Sequence, residues 1–286
     1  MAIIQGLAWT FDTVNEQNIA DAGYIHAESW KESHKSFCSP EFVAKHTPEA
    51  QTEYLRREMA RGKRIFLLLD HRPVGIVSVF GHCIENLYVL PTEQKKGYGT
   101  QLLQYALGQC NDVPTLWVLN TNQRAYDLYQ RNGFLETGNR KALQLGMYEI
   151  EMRADAQTLY HLAMKHIYGD GVSEDNELAV KLLTYAHNMG HTEATYNLGI
   201  CYHYGYGTEI DVAKAYALYL ESANNGYGKG MELVGRFYNR GIYVEKDGTQ
   251  AEYWLRKAIE SGDAEAVEEA KTERNQMVQP SYFGQK

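Results

Sequence analysis

Long apolar runs are absent. No stretch of about 18 or more consecutive apolar residues occurs anywhere in the 286-residue chain, so no segment reads as a membrane-spanning helix. Cysteine is scarce. Cys38, Cys83, Cys110 and Cys201 lie far apart and form no CxxC pair, which argues against a zinc site or disulfide framework and makes a reducing cytoplasm the expected location. The ten histidines follow no HExxH-type spacing, so no metal is expected. Residues 1–17 lack a basic stretch ahead of their apolar residues and do not read as a secretion signal. Basic excess is missing as well. The formal net charge is −8, and residues 154–286 hold 12 Lys+Arg against 19 Asp+Glu, while residues 1–153 are near balance at 16 against 17. Binding to nucleic-acid phosphates needs clustered Lys and Arg, so that role is not expected. The acidity fits either a basic partner or an ordinary solvated surface.

What is present supports two packed domains: 44% of residues are hydrophobic and 22% charged. The second half repeats itself. Gly169, Gly205 and Gly241 stand 36 residues apart, as do Asp175, Asp211 and Asp247, Ala179, Ala215 and Ala251, and Gly190, Gly226 and Gly262. Each unit reads as two helices. The first ends at a Gly-rich turn, where glycine supplies positive φ. The Asp caps the second, which brings the Ala to a close contact. The best unit, Leu198-Gly199-Ile200-Cys201-Tyr202-His203-Tyr204-Gly205-Tyr206-Gly207, resembles the Sel-one-like repeat, a relative of the tetratricopeptide repeat. In the third unit Tyr243 stands where the second glycine is expected. A Glu-rich helix over about Ala264 to Arg274 is expected to cap the stack, and residues 276–286 to form a loose tail. Residues 154–275 are thus expected to form an all-α repeat solenoid whose face binds a partner chain, mediates self-association into a homo-oligomer or braces the first domain.

The first half, residues 1–153, carries the chemistry. Strands are expected over Ile65–Asp70, Val74–Phe80 and Ile84–Leu90. The segment Gln94-Lys95-Lys96-Gly97-Tyr98-Gly99-Thr100 then leads from a strand through a glycine loop into an amphipathic helix. Amides freed of side chains, a helix N-terminus and two lysines make a site for a diphosphate. A second motif, Asn122-Gln123-Arg124-Ala125 through Tyr129 to Gly133-Phe134, starts another helix after a strand. Asn122 and Tyr129 lie about two turns apart on one face of it. A dinucleotide-binding reading is weaker, because Leu102 occupies the place of its third glycine.

Together the two motifs resemble the GNAT superfamily of acyl-CoA N-acyltransferases over roughly Gly6 to Met152. The resemblance implies an α/β (α+β) fold with a mixed central sheet and acetyl-CoA as acyl donor. It implies that Gln94 and the amides from Lys95 to Thr100 bind the pyrophosphate. Leu87, Tyr88 and Val89 would pair with the pantetheine arm, a bulge would part this strand from its neighbour, and Asn122 would touch the arm. Tyr129 would protonate the departing thiolate, with a core aromatic as its alternative role. Glu85 is the candidate base, or else an exposed strand carboxylate or salt-bridge partner; His82 and Asn120 are weaker candidates. Trp30, Glu32 and Phe37 form an acceptor pocket or an ordinary helix surface. The leading expectation is direct acetyl transfer to a primary amine, on a small molecule or a protein. The alternatives are an acetyl-CoA-sensing adaptor of weak activity and a scaffold dominated by its repeats.

Overall fold

A computed structural model of the chain describes residues 9–35, 38–144 and 146–278. Two compact units divide after Asp155. The first runs β1 (Trp9–Thr13), α1 (Ile19–His34), α2 (Pro40–Ala44), α3 (Pro48–Ala60), β2 (Arg64–Asp70), β3 (Arg72–Phe80), β4 (Cys83–Val89), α4 (Tyr98–Gln109), β5 (Thr115–Leu119), α5 (Gln123–Arg131), β6 (Phe134–Gln144) and β7 (Met147–Ala154). The seven strands form one mixed sheet in the order β1-β2-β3-β4-β5-β7-β6. Period-2 alternation sorts β2 between the sheet's two faces. Ile65 and Leu67 join Ile19, Ala22, Ile25 and Leu55 of α1 and α3 in a buried core, while Phe66 meets Tyr105 of α4 edge-on at 5.2 Å. The near-continuous apolar reading of β2 and β3 follows from cover on both faces.

Two irregularities in this sheet shape the site. Between β3 and β4 the register changes: Ile76 pairs with Tyr88 but Ser78 pairs with Glu85, so Asn86 and Leu87 on β4 oppose a single residue, Val77, on β3. This is a β-bulge. Asn86 takes φ +48° there, a left-handed conformation that asparagine tolerates better than most residues. Its Nδ2 donates to Ser78 Oγ, and that hydroxyl donates to the Glu85 carbonyl. The second irregularity is the parallel pairing of β4 with β5, which covers only Cys83–Thr115 and Ile84–Leu116. Beyond Ile84 the two strands part.

The second unit consists of helical pairs α6 (Ala156–Tyr168) and α7 (Asn176–Asn188), α8 (Thr192–Tyr204) and α9 (Val212–Asn224), α10 (Gly228–Arg240) and α11 (Gly248–Glu260), followed by α12 (Ala264–Val278). The repeated aspartates are N-caps: Asp175 accepts from Leu178 N at 3.0 Å, Asp211 from Lys214 N at 2.9 Å and Asp247 from Gln250 N at 3.0 Å. The repeated alanines are fully buried. Gly207 has φ +68° and its position for a Cβ is filled by the Asn176 backbone, so the turn of one repeat packs on the next helix start of its neighbour. Tyr243, at the equivalent place in the third repeat, still takes φ +63°. The turn therefore keeps its shape without the glycine. α12 extends past Gln276 to Val278, beyond the point where a loose tail was expected; residues 279–286 lie outside the described ones. Its glutamates do more than face water: Glu265, Glu269 and Glu273 pair with Lys229, Arg236 and Arg240 of α10.

The four cysteines are free thiols. Among the described residues no His, Cys, Asp and Glu side chains cluster as a metal site, and no helix is long and apolar enough to cross a membrane.

Candidate active site

The parting of β4 and β5 opens a cleft of about 1150 Å³. It is lined on one side by α1 and α3 (Trp30, Glu32, His34, Tyr54) and along its floor by Glu85 through Val89. At its far end stand Gln94, Lys95, Gly97, Tyr98, Gly99 and Thr100, and α5 closes it with Asn122, Arg124, Leu128 and Tyr129. Thus both sequence motifs meet in one cavity.

At the α4 end, Gly97 is the N-cap residue of α4, with φ +89° and no side-chain cap. The first N–H groups of a helix are orphan donors with a partial positive charge. Among the described residues nothing lies within 4 Å of where a Cβ on Gly97 would sit, so the loop stays open at the point where a ligand would approach. Gly99 serves differently: a Cβ there would meet Leu128 Cδ2 at 3.2 Å, so this glycine lets α4 and α5 pack closely. Lys95 reaches the cleft with φ +66°. Lys96 instead pairs with Glu93 at 2.7 Å and does not line the cleft. Gln94 donates to the Val89 carbonyl at 3.1 Å and accepts from Arg124, tying the strand end to α5. A diphosphate matches this donor set of uncapped amides and cations.

In the middle of the cleft, the edge of β4 beyond Ile84 has no strand partner among the described residues. It can receive an extended chain as an added strand would. Asn122 is the N-cap of α5, and its Oδ1 accepts from Ala125 N at 3.1 Å. That use leaves the side-chain NH₂ for a ligand. Tyr129 is buried, and burial raises its hydroxyl to about 12, so it holds its proton at neutral pH. Tyr88 is raised further by burial, with Tyr129 and Tyr54 as its charged-state neighbours.

At the opposite end, Glu85 is bound by Lys63, which also holds Glu58 at 2.7 Å. Lys63 is itself buried, and its hydrogen bond, helped by its charge, keeps the Glu58 carboxyl below the usual range. Of the three roles open to Glu85, the salt bridge is present. The indole of Trp30 stacks on His34 at 3.9 Å and on His46 at 3.4 Å; Glu32 is paired with Lys35 at 2.7 Å. Phe37 lies outside the described residues. Asn120 accepts from Tyr148 N and donates to the Gly146 carbonyl, a structural use, and His82 is exposed.

Sequence reasoning missed four groups. Lys63 lies 22 residues before Glu85 and is brought to it by the α3–β2 turn. Tyr54 and Arg124 sit on helices whose orientation no local pattern states. His26, buried behind the bulge, packs on Tyr88 at 4.9 Å and Tyr54 at 5.4 Å. Both of its ring nitrogens are buried with Asn86 beside the ring, and burial lowers it to about 4.

The family model for the acetyltransferase (GNAT) domain matches residues 61–136. The Sel1 repeat model matches residues 156–191, 192–227 and 228–263. No curated protein matches. Among solved structures, a Sel1 repeat protein from Oxalobacter formigenes is 26% identical with a TM-score of 0.38; the match covers 39% of this chain and 46% of that one, so this chain spans less than half of that relative. PaiA N-acetyltransferase from Thermoplasma acidophilum, in complex with coenzyme A, is 17% identical with a TM-score of 0.41, covering 51% of this chain and 99% of that one. YncA from Salmonella typhimurium, with its cofactor acetyl-CoA, is 16% identical with a TM-score of 0.38, covering 51% and 93%. The chain carries a GNAT acetyltransferase domain followed by three Sel1 repeats.

Proposed function

We propose that the first unit transfers an acetyl group from acetyl-CoA to a primary amine by direct attack, and that the repeats bind a partner or acceptor protein. The observation that carries this reading is the opening between β4 and β5 beyond Ile84, with the uncapped start of α4 at one end of the same cleft. Acetyl-CoA supplies an acetyl group already activated as a thioester. The amides from Lys95 to Gly99 hold its diphosphate with Lys95, the Thr100 amide being taken by the Gly97 carbonyl. The edge at Leu87, Tyr88 and Val89, whose Val89 carbonyl already accepts from Gln94 and Ser29, aligns the arm. The amine nitrogen forms the new C–N bond as the C–S bond breaks. Tyr129 gives its proton to the leaving sulfur and regains one from the newly acylated nitrogen, which leaves a neutral amide. Glu85 takes a proton from the acceptor ammonium, whose ordinary pKa near 10.4 makes a base necessary. Trp30 and Glu32 form the acceptor wall, suited to an amine that carries apolar surface and positive charge.

Screening amines and lysine peptides with thiol release as the readout tests this proposal. Acceptor-dependent release that falls in Glu85→Gln supports it. The Lys63–Glu85 ion pair favours a second reading, a weakly active acetyl-CoA-sensing adaptor, because that carboxylate already holds an ammonium. Tight acetyl-CoA binding with no thiol release across the screen would favour the adaptor.

A further inference from the structure

Five large apolar side chains are exposed along the edge of the repeats where the first helix of each pair ends. They are Tyr168 (74% exposed), Tyr204 (55%), Tyr206 (51%), Ile210 (66%) and Tyr243 (61%). Tyr168 and Tyr204 are the last residues of α6 and α8, at equivalent places 36 residues apart. Some of these rings pack against neighbours. Tyr204 stacks on Tyr206 at 5.8 Å, and Tyr243 packs on Tyr216 of the preceding repeat at 5.7 Å. The Asn176 backbone against Gly207 links the first repeat to the second at this same edge. Exposed apolar residues gathered along one edge and rimmed by polar groups mark a candidate interaction site.

The surrounding charge is predominantly negative. The equivalent stretches 168–177, 204–213 and 240–249 hold eight carboxylates against two cations, Arg240 and Lys246. All eight carboxylates are exposed, and among the described residues none is in a salt bridge, whereas the glutamates of α10 and α12 are paired. Arg240 is already held by Glu273. The edge also shows how it receives a cation: Lys214 Nζ sits over the Tyr202 ring at 4.0 Å from its centroid. Cations bind tyrosine faces in this way, and arginine is the commonest partner.

We infer that this tyrosine-lined, acid-rimmed edge docks a basic segment of a partner protein, with arginine or lysine side chains over the rings and apolar residues against Tyr168, Tyr204 and Ile210. The inference rests on the reading of the repeats as partner-binding and specifies the surface and the chemistry of the partner.

Fluorescence anisotropy on the full chain tests it with three labelled 12-residue probes: alternating Arg-Leu, alternating Glu-Leu and alternating Ser-Leu. The Arg-Leu probe is expected to bind at least tenfold more tightly than the others and to weaken at least tenfold between 50 and 300 mM salt, as opposite charges in contact require. The variant Tyr168→Ser/Tyr204→Ser/Tyr206→Ser should lose at least tenfold in affinity, as should Glu174→Lys/Glu209→Lys/Glu245→Lys, which spares the helix caps. The residues changed are exposed, and circular dichroism checks that both variants fold. Tight Arg-Leu binding that neither variant weakens would place the contact on another surface and overturn the inference. Preferential binding of a neutral or acidic probe would overturn the partner chemistry and leave partner binding by the repeats standing. No binding of any probe would count against both.

Discussion

Tyr129 has one proton to give and a buried place in which to keep it. Burial alone raises its hydroxyl to about 12, so across the neutral range it is a donor. Tyr129→Phe should lower kcat by roughly 100-fold, the scale of a single general acid, and leave the dissociation constant for acetyl-CoA within about twofold; stopped-flow thiol release and calorimetry read the two quantities. The two glycines of the loop separate just as sharply. Gly97→Leu strains a φ of +89° at a point open to ligand and should abolish acetyl-CoA binding. Gly99→Leu pushes on Leu128 and should show first as lost stability in urea unfolding, at roughly 1–3 kcal/mol for overpacking. Both glycines were legible as a motif, because glycine spacing reports backbone shape. Their different tasks were not, since Leu128 is nearly 30 residues away in the chain. Lys63 was illegible for the same reason: its role depends on where the end of α3 delivers it.

The β4 bulge and the helix caps are where element-scale reading succeeded and failed. The capping aspartates were readable from their 36-residue period, because an N-cap needs only its own helix. Asp211→Ala should cost about 1 kcal/mol in urea unfolding, within the range for a lost N-cap, and Asp211→Asn much less. A cost near zero would mean that water replaces the cap at no penalty. The bulge was expected only through the family resemblance. In the sequence Glu85-Asn86-Leu87-Tyr88 looks like a regular strand, and only pairing with β3 reveals the extra residue. The third repeat supplies the converse case: Tyr243 breaks the glycine pattern, yet the turn holds its left-handed geometry.

For the whole molecule, the repeat stack was legible in its period and the mixed sheet only through the family resemblance, while His26 was not legible, because a lone histidine on a helix carries no sign of what will bury it. His26 faces Tyr54, Tyr88 and Asn86, with His34, His46 and Lys63 nearby. Its folded value near 4 lies below the ordinary 6.5, so the unfolded chain binds a proton that the folded one refuses. Stability should therefore be unaffected by this group above pH 6.5 and fall by up to about 3 kcal/mol as pH drops toward 4. His26→Phe should flatten that dependence in urea titrations between pH 7 and 4.5. The most direct test of the central claim, that the cleft between β4 and β5 holds acetyl-CoA, is calorimetric titration of the full chain with acetyl-CoA beside its Gly97→Leu variant. Binding of one molecule per chain, lost in the variant, is the predicted result. No heat of binding to the native chain, or equal binding by the variant, would contradict it.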